Sequence, residues 1–310
     1  MTALWWVRGC PDHLRERHDA GGYSSLGPSL DERSQAHGIL AGGEVYDAAV
    51  LDTLPNLRVL SRIGIGYDAV DLDAATERGI LVTNTPEGPT VSTAEHTVAL
   101  MMAVSHELTA SAQRLRAATG NYVTHQNSME LDGRTLGLLG FGRIGQAVAR
   151  MAEAIGMRVI ISDPMYADSV TLDELLETSD VLSLHVPATP ETTGMINAES
   201  LARMKSGSIL INAARGPVVV TDDLVAALES GHLMGAGLDV TDPEPLDPDH
   251  RLLHMDNVIV TPHIASNTTA GRERMERMAF DQVTSGLAGD RPTELLNPPA
   301  WTATTNSEGT

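Results

Sequence analysis

Apolar positions in this chain fall into short unbroken runs separated by stretches of helical period, and the rhythm occurs in two blocks. In the first block Gly38–Ala41, Leu57–Ser61 and Ile80–Val82 read as strands. Val45–Leu54, closed by Pro55-Asn56, and Leu72–Arg78, with Asp71 placed to cap it and Gly79 to end it, read as helices. Strands that alternate with helices at this spacing imply a parallel sheet. Residues 1–35 show no usable period: they are Gly-rich and polar after a short apolar start.

Pro86, Gly88 and Pro89 break the chain. A long helix then opens at Ser92 or Thr93 and runs towards Gly120, carrying Val98, Met101, Met102, Val104 and Leu108 at helical spacing. Its methionines read as core or subunit-interface packing. The second block predicts strands over Thr135–Leu139, Arg158–Ser162, Val181–Leu184, Ser208–Ile211, Gly235–Leu238 and Val258–Val260. Helices are expected over Ile144–Ile155, Leu172–Glu177, Ala198–Arg203 and Asp222–Ser230. Thr268–Gly289 is a last long helix, and the polar, Thr-rich tail from Pro298 to Thr310 is expected to be mobile.

Composition narrows the classes. A chain of 310 residues, 42% apolar, suits two domains with real cores, and two Phe leave Val, Leu, Ile, Ala and Met to fill them. A formal charge of −20 argues against a nucleic-acid partner and against an anionic membrane surface. It also means that an anionic ligand would need local cations, which are Arg throughout except for Lys205. One cysteine, Cys10, excludes an internal disulfide framework and a thiolate metal cluster, and no metal site is expected. Trp5 and Trp6 follow no basic segment, Arg8 interrupts their run, and no stretch reaches the roughly 18 apolar residues of a membrane span. The expected location is the cytoplasm.

Gly140-Phe141-Gly142-Arg143-Ile144-Gly145 fits G-x-G-x-x-G. Alone that pattern carries little weight, but here a strand precedes it and an amphipathic helix follows. Gly140 permits the tight turn, Gly142 lets backbone approach a pyrophosphate, and Gly145 lets helix pack on strand. The phosphates would meet free amides at the positive end of the helix. Asp163 ends the next strand, 18 residues beyond Gly145, against about 20 in the dinucleotide fingerprint. A carboxylate there accepts ribose hydroxyls and repels an added phosphate, so NAD (NADH) is the expected cofactor and NADP is disfavoured. Arg215, Glu244 and His263 each lie just past a strand of the same block, where open α/β sheets bind ligands. Singly, each reads more readily as part of a surface ion pair. His96, His106, His125 and His185 read as structural or surface residues.

With these residues the chain resembles the D-isomer-specific 2-hydroxyacid dehydrogenases. The matching motifs are Gly64-Ile65-Gly66-Tyr67-Asp68, Ala94-Glu95-His96, the Gly140–Gly145 loop, Ser183-Leu184-His185-Val186-Pro187, Asn212–Gly216, Gly237–Pro245 and Pro262–Ser266. The resemblance implies two α/β domains with Rossmann-like or flavodoxin-like parallel sheets. The substrate domain would be discontinuous, 1–92 with 268–310, and the NAD domain would span 93–267. A cleft between them is expected to close on ligand. His263 would be the general acid in reduction, and Glu244, as its partner, would favour the imidazolium. Arg215 would hold the substrate carboxylate and polarise its carbonyl, joined by the amides of Ile65 and Gly66. Asp239 would help position the nicotinamide. Gly140, Gly142, Arg143, Ile144, Gly145, Asp163, Val186, Pro187, Ala213, Ala214 and Ser266 would line the cofactor. The resemblance also implies a homodimer.

The chain departs from the family's pattern in places. Val219-Val220-Thr221-Asp222 stands where an Asp is usual, leaving Thr221 or Asp222 to cap the next helix. Pro89 stands where Asn is common, and Ala41-Gly42 where phosphoglycerate-oxidising members tend to carry Arg. Arg62 remains available to serve a phosphate. The expected substrate is a small 2-keto or D-2-hydroxy acid such as hydroxypyruvate, glyoxylate or pyruvate. The alternatives are a phosphoglycerate dehydrogenase and, in another class, a non-catalytic NAD-sensing protein like the corepressors that resemble this family.

Overall fold

The unbroken apolar runs become the strands of two sheets in which every pairing of neighbouring strands is parallel. The computed structural model describes residues 2–26, 29–117 and 128–307. It divides into a first unit, Met1–Pro89 with Asn267–Thr310, and a central unit, Thr90–Ser266. Among the described residues no helix is long and apolar enough to cross a membrane.

The first unit runs β1 (Thr2–Trp6), α1 (Asp12–Ala20), β2 (Tyr23–Leu26), α2 (Leu30–Arg33), β3 (Gly38–Ala41), α3 (Ala48–Asp52), β4 (Val59–Arg62), α4 (Leu72–Glu77) and β5 (Leu81–Thr83). Its strand order is β2-β1-β3-β4-β5. Two carboxylates start helices here: Asp47 accepts the Val50 amide at 2.8 Å and Asp71 the Ala74 amide at 2.9 Å. The helix expected from Val45 is shorter because Tyr46 bridges to Val70 before Asp47 caps. The aperiodic residues 1–35 prove to be β1, α1, β2 and α2. Helix α1 hides its period because only Leu14 and His18 of DHLRERHDA are buried.

The central unit follows: α5 (Thr90–Ser105), α6 (Leu108–Arg116), β6 (Thr135–Leu139), α7 (Arg143–Ala154), β7 (Arg158–Ser162), α8 (Leu172–Thr178), β8 (Val181–Leu184), α9 (Ala198–Arg203), β9 (Ser208–Asn212), α10 (Thr221–Glu229), β10 (Leu233–Leu238) and β11 (Val258–Val260). The order is β11-β10-β9-β8-β6-β7. The single long helix expected from Ser92 is broken: Glu107 takes φ 49° and turns the chain between α5 and α6. Its expected end near Gly120, and His125, lie outside the described residues. Each face of the sheet has its own core. One packs Leu182, Leu210, Leu224 and Leu228. The other packs Met101, Leu136, Val148 and Ile209. Burial on both faces is why the strands read as unbroken apolar runs.

The chain then returns to the first unit with α11 (Thr269–Ala288) and α12 (Pro298–Ser307). Phe280 of α11 stacks on Trp6 at 5.7 Å and meets Tyr23 edge-on at 6.1 Å. All three tryptophans, Trp5, Trp6 and Trp301, belong to this unit. The tail expected to be mobile from Pro298 is instead helical to Ser307, with Ala300 fully buried. Asn297 ties it down. Its Oδ1 accepts the Val82 amide at 2.8 Å, while Nδ2 donates to the Ile80 carbonyl at 2.9 Å and to Thr76 Oγ1 at 3.0 Å. Asn297→Ala strands these buried groups, and we expect it to destabilise the first unit by about 2–3 kcal/mol, read as a lower urea midpoint.

Candidate active site

A wholly parallel sheet puts the carboxyl ends of all its strands at one edge. In the central unit the chain leaves β6 at Gly140, β7 at Asp163, β8 at His185, β9 at Ala213, β10 at Asp239 and β11 at Thr261. The strand order reverses at β6, which pairs with β7 on one side and β8 on the other. Such a reversal opens a crevice at the strand ends. Gly140 lies there at φ +94°, and a Cβ on it would come within 2.7 Å of the His185 carbonyl oxygen and 3.0 Å of Val186. A Cβ on Gly145 would meet the Gly140 carbonyl oxygen at 2.6 Å, whereas one on Gly142 would meet nothing within 4 Å.

Two of the three glycines are therefore required by the protein's own packing, and the third faces open space. Gly142 also caps α7 without a side-chain bond, so no side chain blocks the first amides at Arg143 and Ile144. This is the cradle that a dinucleotide pyrophosphate needs. Asp163 steadies it from the next strand. Its Oδ2 accepts the Phe141 amide at 2.6 Å and its Oδ1 the Met165 amide at 2.8 Å. A carboxylate has about four acceptor positions, so two remain for ribose hydroxyls. Val186, Ala213, Ala214 and Ser266 are half-buried along the same edge, and Pro187 is exposed there.

Arg215, Glu244 and His263 follow three adjacent strands, β9, β10 and β11. His263 Nδ1 lies 2.7 Å from Glu244 Oε1, with both side chains about half exposed. A carboxylate only accepts, so Nδ1 carries the hydrogen and Nε2 is left to exchange a proton. His263 takes φ 52°, a left-handed conformation that costs a non-glycine residue energy. It is held there because its amide reaches the Asp239 carbonyl at 2.8 Å. Arg215 is half-buried, with Nη1 donating to the Ala214 carbonyl at 2.7 Å. The Arg215 and Glu244 loops touch, since a Cβ on Gly216 would fall 1.9 Å from the Thr241 carbonyl oxygen. Neither Thr221 nor Asp222 caps α10, whose N-cap is Val220. Thr221 Oγ1 instead donates to the Asp242 carbonyl at 2.6 Å and so braces the Glu244 loop.

Asp239 is 1% exposed, and its carboxylate is turned into the loop that bears His263. Oδ1 accepts Thr261 Oγ1 at 2.6 Å and the Ile264 amide at 2.9 Å, and Oδ2 accepts the Ala265 amide at 2.8 Å. Burial would raise its pKa, but His96, Thr261 and the two amides outweigh that and hold it below the usual value. His96, read from sequence as structural or surface, reaches this network: its Nε2 lies 3.0 Å from Thr261 Oγ1. The one signal for it was the Ala94-Glu95-His96 motif.

Ile65 and Gly66 lie in the first unit, on the loop after β4. Four successive carbonyls there are drawn inward. Arg62 donates to Ile63 O at 3.3 Å and Gly66 O at 3.0 Å, the Thr85 amide to Gly64 O at 3.0 Å, and Asn84 Nδ2 to Ile65 O at 2.7 Å. The amides of Ile65 and Gly66 meet no protein acceptor among the described residues. Arg62 also donates to Ala41 O at 3.2 Å, so its guanidinium is engaged as a loop brace.

Residues 98–265 match the family model of the D-isomer specific 2-hydroxyacid dehydrogenase NAD binding domain. The chain is 42% identical over 266 residues to a glyoxylate reductase of Thermofilum pendens, covering 81% of this chain and 78% of that one. It is 40% identical to a D-3-phosphoglycerate dehydrogenase of Mycobacterium leprae, over 84% of this chain but only 50% of that protein. Among solved structures it resembles the TT0316 protein of Thermus thermophilus, with 40% identity, TM-score 0.88, and coverage of 95% of this chain and 100% of the other. It also resembles the D-lactate dehydrogenase of Aquifex aeolicus complexed with NAD and lactic acid, with 32% identity, TM-score 0.79, and coverage of 93% and 96%.

His185 closes the crevice between β6 and β8, with Nε2 3.0 Å from Ser183 Oγ. Burial pushes its pKa down to about 4. The unfolded chain, at the ordinary value near 6.5, therefore binds a proton that the fold refuses. The stability tied to this residue is complete above about pH 6.5 and is lost as pH falls towards 4. His185→Gln should flatten that fall, seen as a smaller difference between urea midpoints at neutral and mildly acidic pH.

Proposed function

The chain belongs to the D-isomer specific 2-hydroxyacid dehydrogenase family, and from that premise we propose that it reduces small, unphosphorylated 2-keto acids of the glyoxylate and hydroxypyruvate type with NADH. The observation that carries this reading is the convergence of Arg215, the Glu244–His263 pair and the glycine cradle at one edge of one sheet. The choice of an unphosphorylated substrate is supported by Arg62, whose Nε and Nη1 already brace the 63–66 loop.

In this reading Gly140, Gly142, Arg143, Ile144 and Gly145 hold the pyrophosphate, and Asp163 takes the adenosine ribose. Val186, Pro187, Ala213, Ala214 and Ser266 line the rest of the cofactor. Bound NADH supplies the hydride for the carbonyl carbon. Arg215 pairs with the substrate carboxylate, and its charge draws electron density onto the carbonyl oxygen. Ile65 and Gly66 are proposed as substrate-binding residues because their amides meet no protein acceptor among the described residues. His263 gives the Nε2 proton to the developing alkoxide, while Glu244 keeps the ring oriented through Nδ1. In oxidation His263 takes the proton back.

The M. leprae relative favours a second reading, in which the substrate is a phosphorylated hydroxy acid. A panel of keto acids with and without a phosphate, run with NADH and NADPH, separates the two. We also propose a homodimer, supported by the exposure of Leu108 (55%) and Leu115 (61%) on α6. A cytoplasmic location fits the free thiol of Cys10.

His263→Ala is expected to lower kcat by about 10²–10⁴-fold while NADH still binds, measured by NADH consumption and by a separate binding titration. Asp163→Ser removes the charge that opposes an added phosphate, and the preference for NADH over NADPH should narrow by about tenfold or more in kcat/KM.

A further inference from the structure

The loop that carries His263 is held from below by a chain of hydrogen bonds that begins on another element. Helix α5 places His96 between the buried residues Ala94 and Thr97 and packs on β9, β10 and β11. Thr261 Oγ1 is 2.6 Å from Asp239 Oδ1 and 3.0 Å from His96 Nε2. The hydroxyl has one hydrogen, and a carboxylate can only accept, so that hydrogen points to Asp239. His96 must then be the donor, with its proton on Nε2, and the same nitrogen lies 3.4 Å from Asp239 Oδ1. The order is His96 to Thr261 to Asp239. The Asp239 carboxylate in turn accepts the amides of Ile264 and Ala265, while its main-chain carbonyl accepts the amide of His263. Glu244 touches His263 from the side, at Nδ1, and fixes the ring. It does not fix the backbone from which the ring extends.

We propose that His96 and Thr261 are positioning residues for proton transfer. They orient the Asp239 carboxylate, which ties down the amides of Ile264 and Ala265 directly after His263, while the Asp239 main-chain carbonyl holds the His263 amide itself. This rests on the assignment of His263 as the proton donor. Neither His96 nor Thr261 touches substrate. Their removal leaves the glycine cradle in place, and it lets the imidazole drift from the line of transfer. A misplacement of about 1 Å at such a centre costs up to about 10²-fold in rate.

The test uses the full chain with NADH and its best keto acid. His96→Phe and Thr261→Val are each expected to lower kcat about tenfold or more, with the dissociation constant for NADH unchanged. The solvent deuterium isotope effect on kcat should rise, because donation from His263 becomes slower than the steps around it. Since both residues act through one carboxylate, the double variant should be no slower than the slower single variant by more than about twofold. Thr261→Ser restores the hydroxyl and should recover most of the rate. The Thr261 pair carries the test alone if His96→Phe does not fold. The proposal is overturned if both single variants keep full kcat, if their losses multiply in the double variant, or if NADH affinity falls in step with kcat. His263→Ala serves as the control: a normal rate there removes the proton donor itself, whereas a lost rate beside normal His96 and Thr261 variants removes only this proposal.

Discussion

A carboxylate with 1% of its surface exposed can stay ionised only if donors replace the water it has lost. Asp239 has that replacement in the Thr261 hydroxyl and the amides of Ile264 and Ala265. Each of these donors belongs to the segment that follows β11. The need to solvate one buried charge therefore sets the path of five residues, His263 among them. The unfavourable φ of His263 is sustained because releasing it would strip partners from Asp239.

The rest of the central unit can be understood from that edge. Strands β6 and β8 pair side by side at the point where the strand order reverses, and Gly140 and His185 stand at their ends. Strands β9, β10 and β11 run side by side and deliver the cation, the carboxylate and the imidazole. Short backbone contacts keep these deliveries in register: Gly216 against Thr241, and Thr221 against the Asp242 carbonyl. On the proposed reading, the pyrophosphate cradle and the proton donor thus sit at the ends of different strands of one sheet, as precise chemistry on a scaffold requires.

Legibility followed burial. Strands β6 and β8 could be read from sequence to the residue because they are buried along their whole length, and the partly buried edge strands β7 and β11 because their Val and Ile runs are flanked by turn residues. Helix α1 could not, since two buried positions in nine leave no stripe to detect. Strand β2, Tyr-Ser-Ser-Leu, has no fully buried residue. The break before α6 rests on a left-handed Glu107, a residue type that gives no warning of such a turn. The C-terminal helix looked like a loose tail because its anchor is Asn297, whose partners lie more than 200 residues earlier in the chain. In the site, glycines and charged residues announced themselves by motif. Thr261 did not, and His96 stood in a motif without a role, because their chemistry consists of contacts with each other and with Asp239.

The placement of the aromatic residues has a further consequence. Trp5, Trp6 and Trp301 all reside in the first unit, and the central unit contains none. Intrinsic tryptophan emission is therefore a private signal of the discontinuous unit, while far-ultraviolet dichroism sums over both sheets. Followed together during denaturation, the two spectra distinguish a chain that melts as one cooperative body from one whose halves come apart in turn, with no label attached.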